Sequence, residues 1–155
     1  MTTEVRRATT ADANEIADVI GEILRDPNPV GFDRALRPDE VLAWMERQGD
    51  DGGIWVVADA RGQVLAFASI DFDSSQPHEC TFGAWVRPRN RRQGHATELA
   101  EAALDFAREH GYQRIHGRLP QSNEPALSFL SAIGALVPIT NPGASFELPI
   151  YEERS

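Results

Sequence analysis

Two rhythms of apolar and polar positions run along this chain, and together they divide it into elements. Val5 to Ala8 reads as a short first strand. Thr9 or Thr10 can then cap a helix in which Ala13, Ile16, Ala17, Ile20, Ile23 and Leu24 recur at the helical period. Asp26-Pro27-Asn28-Pro29 ends that helix, and Asn28 to Arg37 has no clear period, as in a loop. Pro38 opens a second helix carrying Val41, Leu42, Trp44 and Met45. After the turn Asp50-Asp51-Gly52-Gly53, the runs Ile54–Ala58 and Val64–Phe72 form a hairpin around Ala60-Arg61-Gly62. A further turn, Ser74 to His78, leads to the strand Cys80–Val86. Glu98 to His110 is amphipathic and helical, with Gly111 placed as its C-cap. Arg114 to Leu119 is the next strand. Asn123 can cap a last helix, with Pro125 in its first turn, apolar residues Ala126, Leu127, Phe129, Leu130 and Ile133, and Gly134 at its end. Leu136–Thr140 and Ser145–Ile150 close the chain as an antiparallel pair around Asn141-Pro142-Gly143. The order predicts an α/β (α+β) fold: one mixed, mostly antiparallel sheet of about seven strands flanked by about four helices. No repeat, linker or low-complexity stretch divides it, so residues 1–155 are expected to form a single domain.

Composition narrows the classes. A chain of 155 residues can bury roughly two thirds of its unfolded surface without a covalent staple. Cys80 is its one cysteine, which leaves no internal disulfide framework and no cysteine-based zinc cluster, and no metal is expected. There is no apolar run of ~18 residues and no signal-peptide core at the N-terminus, so the expectation is a cytoplasmic protein with no membrane partner. The formal net charge of −9 disfavours nucleic acid as a partner, which needs a broad basic surface. All 15 basic residues are arginine, so no lysine is present to act as a base.

Against this acidic background, four arginines fall within the six residues from Arg87 to Arg92. They sit between the strand ending at Val86 and the helix containing Glu98. A helix start offers unpaired N–H groups and roughly half a positive charge, and guanidinium groups beside it make a site for a phosphorylated ligand. Arg91 and Arg92 are the expected phosphate contacts, while Arg87 and Arg89 are expected to be solvated. No Gly-x-x-x-x-Gly-Lys-Ser/Thr and no Gly-x-Gly-x-x-Gly is present, so nucleoside-triphosphate and dinucleotide folds fit poorly.

Here the sequence resembles the GCN5-related N-acetyltransferase superfamily. That family's signature, Gln/Arg-x-x-Gly-x-Gly/Ala between a strand and a helix, reads Arg91-Arg92-Gln93-Gly94-His95-Ala96, after a Val-x-Pro lead-in at Val86-Arg87-Pro88. The downstream Asn-x-x-Ala element with a terminating Gly appears as Asn123, Ala126 and Gly134. The element order matches over nearly the whole chain. The resemblance implies acetyl-CoA as co-substrate. Its diphosphate would rest on the amides from Arg92 to Thr97 (Arg92, Gln93, Gly94, His95, Ala96 and Thr97), with Arg91 beside them. Its pantetheine would pair with the edge of a splayed strand at Ala84, Trp85 and Val86. Asn123 would meet the pantetheine arm or a bound water, or serve as a plain N-cap. Dimers being common in the family, a homodimer is one option.

The implied reaction is direct acetyl transfer from acetyl-CoA to the amine of a small molecule or amino-acid-like substrate. The amine must lose a proton, the thioester oxygen needs a donor, and the departing thiolate gains a proton. By resemblance the backbone N–H of Val86 serves as the donor. Glu79, at the start of the strand, is the candidate base, with a solvated strand-end carboxylate as the alternative. His116 could face the cleft or be structural, and His95 is expected at the surface. Cys80, Trp44 and Trp55 read as packing residues. The sequence departs from the family at the thiolate acid: Leu130 stands at the usual tyrosine position, Ala135 at the aromatic that often follows the Gly, and Tyr112 and Tyr151 lie elsewhere. That departure keeps open a second class, a module that binds acyl-CoA without turnover. Substrate choice is expected in Asn28–Arg37, where Pro29-Val30-Gly31-Phe32 loosely resembles the substrate loop of phosphinothricin-type acetyltransferases, and near Asn141–Ser145.

Overall fold

A computed structural model describes residues 2–25, 34–72, 74–112, 114–118 and 145–149 of the chain. In chain order these form β1 (Thr3–Arg7), α1 (Ala13–Ile23), α2 (Pro38–Gln48), β2 (Gly53–Asp59), β3 (Val64–Phe72), β4 (Glu79–Val86), α3 (His95–His110), β5 (Arg114–Arg118) and β6 (Ser145–Pro149). The six strands make one sheet in the order β1-β2-β3-β4-β5-β6. Every neighbouring pair is antiparallel except β4 with β5, which is parallel. The expectation of a mixed, mostly antiparallel sheet holds. The helix expected from Asn123 and the strand expected at Leu136–Thr140 lie outside the described residues, as do Leu130 and Pro29–Phe32.

β2 and β3 are buried along nearly their whole length, which is why they read as almost unbroken apolar runs. Helices cover both faces. On one face Trp55, Val57, Ala66, Ala68, Ile70, Cys80 and Phe82 meet Leu99, Ala100, Ala103 and Ala107 of α3. Alanines on both sides of this contact let α3 lie close to the sheet. On the other face Ile54, Val56 and Phe67 meet Ile16, Val19 and Ile20 of α1 and Val41 of α2. Ile16, Val19 and Ile20 are fully buried, worth roughly 1.5–3 kcal/mol each.

Several boundaries differ from the periodicity. β1 runs Thr3–Arg7 rather than Val5–Ala8, because pairing with β2 recruits polar residues at Thr3 and Glu4. α1 is preceded by a 3-10 turn, Thr10–Asp12, in which the Asp12 carboxylate accepts the Thr9 N–H at 2.8 Å. The same carboxylate takes a bidentate pair from Arg6, at 2.8 and 2.9 Å. α3 begins at His95, not Glu98; its first turn carries no apolar signal.

The larger surprise is Arg87. Expected in solvent, it is fully buried. Its Nε donates to the Val64 carbonyl at 2.7 Å, and its guanidinium meets Asp18 at 2.6 Å, Glu22, and Glu15 at 3.3 Å. Burial opposes the charge, but the hydrogen bonds that the guanidinium donates to Asp18 and Glu22 outweigh it and hold the group above its ordinary range. The three acids recur at helical spacing on α1, beside its apolar stripe. The sequence therefore carried the signal, as an unexplained acidic row facing an unexplained arginine.

Two outcomes are expected. Arg87→Ala strips the guanidinium from three carboxylates and should destabilise the protein by about 3–5 kcal/mol in urea unfolding; a change under 1 kcal/mol would show that the network adds nothing. Asp12 is held below the usual carboxylate range, chiefly by the Arg6 hydrogen bonds, with the Thr9 amide helping and burial opposing. Its contribution is therefore present above the unfolded value of ~3.9 and is lost as pH falls through the lower folded value. The stability gap between wild type and Asp12→Asn should be constant above about pH 5 and close on acidification.

Candidate active site

The parallel pairing of β4 with β5 runs from Glu79↔Arg114 to Phe82↔Gly117 and then ends, while β4 continues beside β3 to Val86. Among the described residues, Gly83 to Val86 thus have a strand partner on one side only. Which of them present polar groups to the open side follows from the ladder. The Arg87 N–H donates to the Leu65 carbonyl at 3.0 Å. The β3–β4 register is unbroken, so backbone groups alternate from there. Trp85 and Gly83 turn theirs to β3; Val86 and Ala84 turn theirs to the open side. Among the described residues, no strand pairs with that side of β4 at Ala84 and Val86.

The faces of β4 also alternate. Phe82, Ala84 and Val86 pack on the α3 side, and Trp85 on the α1/α2 side. The Trp85 indole stacks on Phe67, 5.0 Å between centroids, and meets Trp44 edge-on at 6.4 Å. It lies over Gly83 so closely that a Cβ there would come within 2.3 Å of the ring. Trp44 and Trp55 are packing residues as expected, though Trp44 also donates its indole N–H to Asp71 at 2.6 Å.

Beyond Val86 the chain makes a 3-10 turn, Pro88–Asn90, then bends through Arg92 and Gly94, both at positive φ (65° and 85°). Arg92 is the one non-glycine residue with positive φ among those described, a sparsely populated conformation that larger side chains tolerate only when the surroundings enforce it. Gly94 is the N-cap of α3 and brings no side chain to close the helix end. Its carbonyl receives the Glu98 N–H at 3.1 Å, the first bond of the helix. The N–H groups of His95, Ala96 and Thr97 therefore have no acceptor within α3. They face the positive end of a 16-residue helix whose neighbours Arg91 and Arg92 are exposed.

His95 is corrected from the surface to the interior. It is 5% exposed, with Nδ1 3.2 Å from Glu98 Oε1 and Nε2 3.0 Å from Gln93 Oε1, and so ties the turn to the first turn of α3. Its contribution to a ligand site is its backbone N–H. Cys80 is buried against α3, and burial, with Asp71 nearby, pushes its thiol up to about 12, which suits packing and not nucleophilic chemistry. Tyr112 donates its hydroxyl to the Asp51 carbonyl.

Glu79 and Val86 do not come together. They stand at opposite ends of β4, about 23 Å apart along an extended strand. A base at Glu79 would have to act from the far end of β4. His116 occupies the register position of Thr81 on the parallel strand. Asn123 lies outside the described residues. On the flank of α2 an open groove of about 420 Å³ is lined by Arg34, Leu36, Glu40, Ala43, Trp44 and Arg47. It includes Arg34 and Leu36, from the segment expected to choose the substrate. No helix among the described residues is long and apolar enough to cross a membrane.

Comparison with known proteins agrees with this geometry. The family model described as Acetyltransferase (GNAT) family matches residues 17–135. The chain is 23% identical over 142 residues to the L-amino acid N-acyltransferase MnaT of Escherichia coli (strain K12), covering 89% of this chain and 82% of that protein. Among solved structures, yncA of Salmonella typhimurium, described as a putative acetyltransferase with its cofactor acetyl-CoA, superposes with a TM-score of 0.82 at 20% identity, over 100% of this chain and 98% of that one. The phosphinothricin acetyltransferase (Pat) of Sinorhizobium meliloti, in complex with AcCoA, gives 0.79 at 16% identity, over 97% and 89%. The chain belongs to the acetyltransferase (GNAT) family, and with it to the acyltransferases.

Proposed function

We propose that this protein is a single-domain N-acetyltransferase that moves an acetyl group from acetyl-CoA directly to the amine of a small molecule or amino-acid-like substrate. One observation carries the reading: the open edge at Ala84 and Val86 runs straight into an uncapped helix start flanked by arginines. An extended arm ending in a diphosphate fits that path. The diphosphate sits on the amides from Arg92 to Thr97, with Arg91 and Arg92 screening its charge. The pantetheine takes the place of a strand beside β4. Val86 and Ala84 supply the N–H groups for the arm and for the thioester oxygen. The amine nitrogen attacks the thioester carbon, the C–S bond breaks, and sulfur leaves with the electron pair. One proton departs from the nitrogen and one proton ends on the thiolate. The acceptor class is supported by the 23% identical relative, named for L-amino acids, and by the groove along α2. A homodimer rests on the resemblance alone.

Binding of acyl-CoA without turnover is the second reading. Leu130 at the usual tyrosine position favours it, together with the commitment of Tyr112 to Asp51. A thiol-release screen with acetyl-CoA over diverse amines separates the two: release with any amine supports the enzyme, and tight binding with none supports the sensor.

Two variants test the assignments. Gly94→Glu places a carboxylate where the diphosphate would rest, in a conformation that costs a side chain about 1–2 kcal/mol, although a Cβ there meets no described atom within 4 Å. It should abolish acetyl-CoA binding in calorimetry while leaving the circular dichroism spectrum native, and unchanged affinity would sink the diphosphate assignment. Glu79→Gln should leave kcat/KM within about twofold, because Glu79 is too far along β4; a loss of ~10²-fold or more would reinstate it as the base.

A further inference from the structure

We propose that Asp71 is the carboxylate that receives the acceptor: it draws the ammonium group of the substrate into the cleft and takes its proton. The inference rests on the acetyl-transfer reading above and names the residue that serves its acceptor side.

The argument starts from register. Asp71 on β3 is the Cα partner of Thr81 on β4, and Gly83, two residues on, is where the open edge begins. Diagonal neighbours of this kind lie about 7–8 Å apart, so Asp71 stands beside the first residue of the open edge. Glu79 is the other diagonal neighbour, on the side away from the open edge. β3 flanks β4 on the side away from β5, and of the two carboxylates Asp71 is the one nearer, along the strand axis, to the start of the open edge.

Its surroundings hold it in place without neutralising it. Trp44 Nε1 and Gln48 Nε2 each donate to Oδ1 at 2.6 Å, and Ser69 Oγ donates to Oδ2 at 3.1 Å. All three donors are uncharged, and each accounts for one bond. Ionised, the carboxylate has about four acceptor positions. Gln48, 5% exposed, keeps its Oε1 buried with no hydrogen-bond partner. A buried acceptor left unmade costs about 1–3 kcal/mol. The group is thus short of donors and of positive charge, and a primary ammonium, with three N–H bonds and one charge, provides both. Trp44, which anchors the carboxylate, also lines the groove along α2.

In the transfer, one ammonium proton passes to the Asp71 carboxylate, directly or through one water. The freed lone pair attacks the thioester carbon, the C–S bond breaks, and the second proton of the nitrogen ends on the leaving thiolate.

Asp71→Asn keeps an acceptor for Trp44 and removes the charge. The best acceptor from a panel of L-amino acids and alkylamines is first found with the wild type, and its hydrazide analogue, uncharged at neutral pH, is assayed beside it. The expected result is a fall of ~10²-fold or more in kcat/KM for the ammonium acceptor, a much smaller fall for the hydrazide, and acetyl-CoA affinity within twofold of wild type. Equal losses for both acceptors would reduce Asp71 to a structural clamp and overturn the proposal, as would unchanged kinetics. Acetyl-CoA binding by the wild type with no thiol release from any amine would overturn the transfer reading itself, and this proposal with it.

Discussion

The buried guanidinium of Arg87 is the point on which the site depends. It closes the end of β4 by bonding back to the Val64 carbonyl, while its other nitrogens reach the acidic row on α1. One side chain thus fixes a strand end, a helix on the opposite face and the entry into the turn that precedes α3. A buried ion pair often adds little net stability over an apolar substitute, but it enforces geometry, since any other arrangement strands the charge. That is the service the turn requires. Arg92 and Gly94 can hold positive φ only if the chain arrives at a set position, and the amides of His95 to Thr97 are aimed by the same arrival.

The same sheet makes the other half of the site by leaving something out. Parallel pairing between β4 and β5 stops at Phe82, although β4 goes on to Val86. Unpaired strand edges are normally a liability that proteins cover. Here the edge faces along the path to α3, so a ligand with amide groups of its own can complete the ladder. The Trp85 indole lies across Gly83 on the far face, where a larger residue would force it off the Phe67 ring. On the proposed reading, donor binding is built from backbone, and side chains serve mainly to shape it.

That division explains what could be read from the sequence. The Arg91 to Ala96 spacing and the Val86-Arg87-Pro88 lead-in mark the turn because backbone sites demand particular small residues at particular places. Central strands β2 and β3 were legible because burial on both faces leaves continuous apolar runs. Side-chain roles were not. Arg87 looked like one more exposed arginine, since its partners are 65 to 72 residues away along the chain. His95 looked like a variable surface position, although local contacts with Gln93 and Glu98 bury it. Glu79 is near Val86 in sequence, yet strand rise sets the two about 23 Å apart.

Asp71 shows the converse. Nothing in the run Val64–Phe72 distinguishes this aspartate from a strand-end residue turning toward solvent. Its meaning comes from α2, a helix 23 to 27 residues earlier in the chain, which delivers Trp44 and Gln48 to one carboxylate oxygen. Two donors at 2.6 Å would be a generous investment for a clamp between α2 and β3, because a neutral acceptor could satisfy them with no charge to desolvate. A carboxylate there, held by three uncharged donors and next to an unmatched amide oxygen, is best accounted for by a cation that arrives from outside. On the proposed reading the acidic chain and its arginine-lined turn divide the work by sign: positive groups gather where β4 ends and phosphate would rest, and Asp71, on β3 opposite Thr81, stands where the amine would arrive.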